Sequence, residues 1–85
     1  MASLTVSGAA AKGLDGVSFV GTRDGKAHDF MVPRESLEDL VYAMFETPQA
    51  MLEAFGQQHE AVAKAAAQAL DGGASGSPIV LQTLI

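Results

Sequence analysis

Two histidines, His28 and His59, are the side chains of this sequence best suited to chemistry near neutral pH. Imidazole titrates in that range and ligates metals well, so the pair, with Asp29 or Glu60 nearby, is a candidate polar site for a metal or a small ligand, or for acid–base work. The spacing does not support a local zinc motif. A His-Glu-x-x-His signature needs its second histidine four residues on, and after His59-Glu60 that place is taken by Ala63. The plain alternative is a half-buried histidine at the rim of the core, hydrogen-bonded to backbone or water. No metal or other cofactor is called for.

The remaining reactive types give less. None of Ser7, Ser18, Ser36, Ser75 and Ser77 lies in Gly-x-Ser-x-Gly. Gly73-Ala74-Ser75-Gly76 comes nearest, with its second glycine one residue too close. Cysteine is absent, which excludes disulfides, thiolate metal sites and cysteine nucleophiles. With no nucleophile–base pair to nominate, the chain is expected not to be an enzyme.

Glu35, Glu38, Asp39, Glu46 and Glu53 form an acidic band with little compensation beyond Arg34. Such a band is a solvated face, a surface for a basic partner, or a cation site; the alternating Asp/Asn and central Gly of a calcium loop are missing. Met44, Phe45, Met51, Leu52 and Phe55 gather where two helices are expected to meet. They read as core or as an adaptable docking surface, since methionine fits irregular partners. Glu35, Glu38, Asp39, Met44 and Met51 are therefore the candidate interaction surface.

The elements that must position these residues follow from periodicity. Leu4 to Ser7 alternates as a short strand, and Gly8 to Asp15, rich in Gly and Ala, reads as a loose connection. Gly16–Val20 and Ala27–Val32 have strand character, and Asp24-Gly25 between them is a hairpin turn signal. One face of that hairpin carries Val17, Phe19, His28, Phe30 and Val32. Pro33 to Phe45 predicts a helix with Leu37, Leu40, Val41, Met44 and Phe45 as its apolar stripe, and Glu46 closing it.

Thr47 to Asp71 predicts one long amphipathic helix. Thr47 is a good N-cap, and Pro48 suits the first helical position. Leu52, Phe55, His59, Val62, Ala66, Ala69 and Leu70 line one side. Gly72 and Gly73 supply the left-handed residue that ends many helices. Ala54, Ala61 and Ala65, off that stripe, would let another helix approach closely, as in a homodimer, or equally serve only as good helix formers. A flexible connector, Gly72 to Pro78, leads to a last strand, Ile79 to Leu84, expected to be central or well covered. A phosphate-binding glycine loop would sit between a strand and a helix N-terminus, and here the order is reversed. The expected architecture is one α+β domain over residues 1–85, with 1–15 its loosest part. It has a small, mainly antiparallel sheet of three to four strands, two helices on one face, and the order β-β-β-α-α-β.

Three segments carry a family resemblance: GVSFVGTRDGKAHDFMVPRESLEDL, then AFGQQHEAVAKAAAQAL, then a Gly-rich gap and PIVLQTL. Over roughly residues 16 to 84 the chain resembles a small bacterial family of uncharacterised proteins, a domain of unknown function. Members carry a strand leading into Glu-(Ala/Ser)-Leu-Glu-Asp, matched by Glu35 to Asp39, and a helix with a Phe-x-x-Asn-Arg-x-x-Ile-like core. Here Gln58 and His59 stand in the Asn-Arg places and Val62 in the Ile place. The resemblance implies a small α+β fold and no established activity.

Charge and length bound the function. The formal net charge is −5, and the five basic residues, Lys12, Arg23, Lys26, Arg34 and Lys64, are scattered singly. Nucleic-acid binding, which needs a basic patch, is not expected. No apolar run approaches the roughly 18–20 residues of a membrane span. The first residues lack the basic start and sustained apolar run of a secretory signal. The expectation is a cytoplasmic, non-catalytic accessory or regulatory domain that acts through protein contacts with a partner or a second copy. The alternative is a small-ligand or metal-binding domain using His28 and His59.

Overall fold

A computed structural model of the chain describes residues 4–74, 76 and 78–82. In these the elements run β1 (Thr5–Ala11), β2 (Gly16–Arg23), β3 (Lys26–Pro33), α1 (Arg34–Val41), α2 (Pro48–Gln57), α3 (His59–Asp71) and β4 (Ile79–Val80). They form a four-stranded sheet in the order β1-β2-β3-β4, with β1, β2 and β3 antiparallel and β4 parallel to β3. The α+β class holds.

The central hairpin follows its sequence signals. Arg23 pairs with Lys26 across the two-residue turn, where Asp24 (φ 55°) and Gly25 (φ 78°) both take positive φ. This is the left-handed turn whose twist matches that of the strands. Phe19 lies directly opposite Phe30, and their rings stack with centroids 5.1 Å apart. Phe55 of α2 leans on Phe19 at 5.3 Å. Val17 and Val32 continue the same face and are fully buried. Strand alternation puts Gly21 on this face too, where Leu4 and the Phe30 ring close over it.

Strand β1 is longer than the sequence suggests. Residues Gly8 to Ala11 belong to it, so the expected loose connection shrinks to the turn at 12–15. That turn is held by Lys12 N–H donating to the Gly16 carbonyl (2.8 Å) and Asp15 N–H to the Lys12 carbonyl (3.0 Å). The cause is a bulge between Ser7 and Ala10, with Gly8 at φ 64°. An extra residue in one strand switches which side chains face inward, and that hides the period-two pattern.

The helices differ from expectation in two ways. First, α1 stops at Val41 because Tyr42 enters the left-handed region (φ 55°, ψ 43°). Second, the long helix is two helices. Gln58, at φ −103° and ψ 23°, ends α2 and starts α3. Gly56 weakens the helix just before it, since glycine is a poor helix former. The order is therefore β-β-β-α-α-α-β. Thr47 caps α2 as its sequence signals require, its hydroxyl accepting from Ala50 N–H at 3.1 Å. Gly73, at φ 83°, supplies the left-handed residue after α3. Arg23 ties the end of β2 to that same end of α3, donating to Asp71 at 2.7 Å and to the Ala67 carbonyl at 3.4 Å.

The core lies between the sheet and the helices. Met51, Phe55, Val62 and Ala66 face it from α2 and α3, with Leu37 from α1 and Phe45 from the connection. Leu52, Ala69 and Leu70 are half-buried around them. β4 is a short edge strand and not a central one. Ile79 and Leu81 are buried while Val80, pointing the other way, is exposed. The Ser36 hydroxyl donates to the Gln82 carbonyl at 2.6 Å and holds this edge against α1. Thr83 and Leu84, expected to prolong the strand, and Ser75 and Ser77 of the connector lie outside the described residues.

Two glycines give opposite expectations. An added Cβ at Gly21 would lie 2.7 Å from a Phe30 ring carbon and 3.0 Å from a Leu4 methyl carbon. Gly21→Ala is expected to destabilise by about 1–3 kcal/mol through overpacking. At Gly56 an added Cβ meets nothing within 4 Å. Gly56→Ala is expected to stabilise by about 0.5–1 kcal/mol. Urea unfolding of the two variants, followed by circular dichroism, checks both signs.

Candidate interaction surface

The six residues between α1 and α2, 42–47, set the most unusual surface of the molecule. Helix α1 closes on Glu38, whose backbone carbonyl accepts from the Tyr42 amide and, at 3.2 Å, from the Ala43 amide. The second bond is the six-to-one link of a Schellman closure. The Glu38 carboxylate then reaches forward and accepts from Phe45 N–H at 2.9 Å. Its other neighbour is Arg34 Nε at 3.8 Å. Hydrogen-bonded to the Phe45 amide, with Arg34 Nε near it as an ion pair but not a hydrogen-bond donor, the Glu38 side chain is 16% exposed. It serves as a clamp on the connection, where the sequence presents it as one more solvated carboxylate.

The clamp aims Phe45 inward and leaves Tyr42 and Met44 outside. Phe45 is buried, whereas Tyr42 is 91% and Met44 86% exposed. The Tyr42 side chain makes no hydrogen bond or ring contact among the described residues. Among the described residues nothing rewards a tyrosine here. A non-glycine residue in the left-handed region is held against a conformational penalty of about 1 kcal/mol or more. Tyr42, Ala43 and Met44 border an open hollow of about 670 Å³ together with Glu38 and Asp39.

The candidates separate accordingly. Asp39 and Met44 meet at this hollow, and Glu35 stands one turn earlier on α1, exposed. Met51 does not belong to the surface: it is wholly buried under α2. Its place in the sequence suits either role, and its four-residue step to Phe55 puts both on the buried side of α2. Met44 drops out of the expected helical stripe because α1 has ended before it. Glu46 and Glu53 are exposed. Tyr42 is the residue that periodicity did not single out. It is the chain's sole tyrosine, and Thr47-Pro48, by fixing where α2 starts, leaves little chain in which to turn Phe45 inward.

The histidines lie in different surroundings. His28, opposite Gly21 on β3, is half-buried, with its ring edge-on to Phe30 at 6.4 Å. His59 is exposed and not part of the buried stripe, because the bend at Gln58 turns the first residue of α3 outward. The hollow it borders is formed by Gly56, Gln57, Gln58, Glu60 and Ala61, without His28. Among the described residues no group of three or more His, Asp or Glu side chains is placed to hold a metal ion. None of the helices described is long and apolar enough to cross a membrane.

Fold and surface together define a small α+β domain with one helix-covered sheet face and an ordered, partly apolar protrusion. The architecture is similar to the crystal structure of a protein of unknown function from the DUF1488 family of Shewanella loihica PV-4. The TM-score is 0.77 over 95% of this chain and 93% of that chain, at 16% sequence identity. At that identity the likeness is one of fold, and it agrees with the α+β architecture implied by residues 16–84. No protein-family model matches the chain, and no curated protein matches it.

Removing the clamp is expected to loosen the protrusion first. Glu38→Ala should cost about 1.5–3 kcal/mol, the range for a hydrogen bond to a charged group. Hydrogen exchange at the Phe45 amide should accelerate more than at Phe19 or Phe30. Tyr42→Gly should do the reverse and stabilise by about 1 kcal/mol, because glycine adopts the left-handed angles freely. Thermal unfolding of both variants reads the two signs directly.

Proposed function

We propose that this protein is a non-catalytic accessory or regulatory domain of the cytoplasm that works through protein–protein contact, using the protrusion at Tyr42 and Met44. The observation that carries this reading is Tyr42 itself. Its backbone is held at φ 55° by hydrogen bonds to Glu38, and its side chain stands 91% exposed with no partner among the described residues. A strained position with an idle large side chain is where a fold gives up stability for a task. Tyrosine and methionine together are well suited to protein contact. One offers a rigid amphipathic ring, the other an adaptable thioether. The hollow beside them is open, and small-molecule sites usually enclose most of their ligand.

The reading is tested by placing a benzophenone-bearing phenylalanine at position 42 and, as a control, at Gln68, which is exposed on α3. Irradiation in an extract of the source cells is expected to give a discrete adduct from position 42 and none from 68. The adduct would contain either another protein or a second copy. Excess unlabelled protein should compete it away, and excess Tyr42→Gly, though folded and more stable, should not. No adduct at position 42, or the same adducts from both positions, would remove the basis of the proposal.

A further inference from the structure

From the same surface, and resting on the reading just given, we infer that the partner's contacting segment is a cationic amphipathic stretch of another protein, with an apolar residue seated between Tyr42 and Met44 and lysine or arginine against Asp39 and Glu35. Glu35, Asp39 and Tyr42 follow each other at four- and three-residue steps. They therefore lie in one line along α1 and onto its closing turn. The Glu35 and Asp39 carboxylates make no hydrogen bond or ion pair among the described residues. The nearest basic residue of the helix, Arg34, has its Nε buried and turned to Glu38.

Asp39 is also misplaced by local electrostatics. It stands in the last turn of α1, which carries no basic residue. The C-terminal end of a helix is its negative end, where a carboxylate is disfavoured and a cation preferred. Asp39 and Tyr42 thus share one hollow, and each is unfavourable for the chain alone. A cation from outside would satisfy Asp39 and the last carbonyls of α1 together. Asp39 further borders the adjoining hollow of Pro33, Glu35, Ser36 and Gln82. The acidic track and the apolar protrusion are therefore continuous.

Charge complementarity selects another protein over a second copy. The chain carries a formal net charge of −5. A two-fold contact through this surface would bring two copies of the same acidic track into one interface, and like charges brought together oppose association.

The test uses the full chain with ¹³C-methyl methionine and three designed peptides. All share one helical pattern. The first has leucines on one side and lysines on the other, the second replaces the lysines by glutamates, and the third keeps the lysines but replaces the leucines by serines. The first peptide is expected to shift the Met44 methyl and Tyr42 ring signals saturably, more weakly as salt rises. The other two should bind at least about tenfold less tightly, as should the first peptide to Glu35→Lys/Asp39→Lys, whose unchanged circular dichroism and undiminished melting midpoint show that it is folded.

Equal binding of the glutamate or serine peptide would overturn the inference, as would saturable binding that leaves Tyr42 and Met44 unmoved, or no binding of any peptide. The two proposals fail separately. A crosslinked partner at position 42 that persists undiminished in Glu35→Lys/Asp39→Lys sinks the cationic segment and leaves the protein-contact reading intact. Absence of any specific adduct sinks the protein-contact reading itself.

Discussion

Phe45 has to enter the core within a few residues of the end of α1, and the Glu38 carboxylate is what makes that turn sustainable. A chain leaving a helix abruptly strands the last carbonyls of the helix and the first amides of the next segment, and buried groups of that kind must find partners. Glu38 satisfies both kinds at once, its carbonyl taking the Tyr42 and Ala43 amides and its carboxylate the Phe45 amide. With Phe45 fixed, Thr47 and Pro48 start α2 in place, and α2 brings Met51 and Phe55 onto the Phe19–Phe30 stack. The same geometry leaves Ala43, Met44 and the Tyr42 side chain nowhere to go but outward. The protrusion is thus a by-product of closing the core, and its residue types are what call for a separate explanation.

Much of the fold was legible because local and global preferences agree over most of the chain. Asp24-Gly25, the Val17/Phe19 and Phe30/Val32 alternation, and the Thr47-Pro48 start each specify a local geometry that the tertiary structure keeps. What escaped were the places where one residue resets a phase. The bulge between Ser7 and Ala10 switches the inward face of β1. Tyr42 ends α1 inside what reads as one continuous stripe. Gln58 bends a stripe whose residues before and after it still lie at helical steps, so the pattern of Met51, Phe55, Val62 and Ala66 survives a break that it cannot reveal. A period describes which side is apolar and is blind to a change of axis that preserves the side.

The candidate surface was legible by composition and not by geometry. Asp39, Glu35 and Met44 were identifiable as an acidic and adaptable neighbourhood. Met51 shares Met44's chemistry and spacing to the junction, yet lies beneath α2, because burial depends on which side of the turn a residue falls. Glu38 shares the chemistry of Glu35 and Asp39 and does something different, because a carboxylate three residues before a left-handed residue can fold over the turn. Charge alone cannot separate a clamp from an exposed carboxylate; the position of the helix end does.

The distribution of unfavourable residues carries the argument further than the shape of any hollow. Several other termini follow the usual preferences: Thr47 caps α2, Glu35 sits at the positive end of α1, and Gly73 takes the left-handed angle after α3; α3 also ends on a carboxylate, Asp71, but there Arg23 pairs with it at 2.7 Å. At the end of α1 the sequence does the opposite twice, with a carboxylate where a cation is preferred and a tyrosine where glycine is preferred. Each departure costs a fraction of a kilocalorie to about 1 kcal/mol, which is appreciable in a domain whose small size leaves a thin margin of stability. Asp39 differs from Asp71, the carboxylate at the end of α3, in having no cation paired with it among the described residues, and it shares its exposed corner with the left-handed Tyr42. That juxtaposition of an apolar ring and a carboxylate without a partner among the described residues is the observation on which the proposed contact rests.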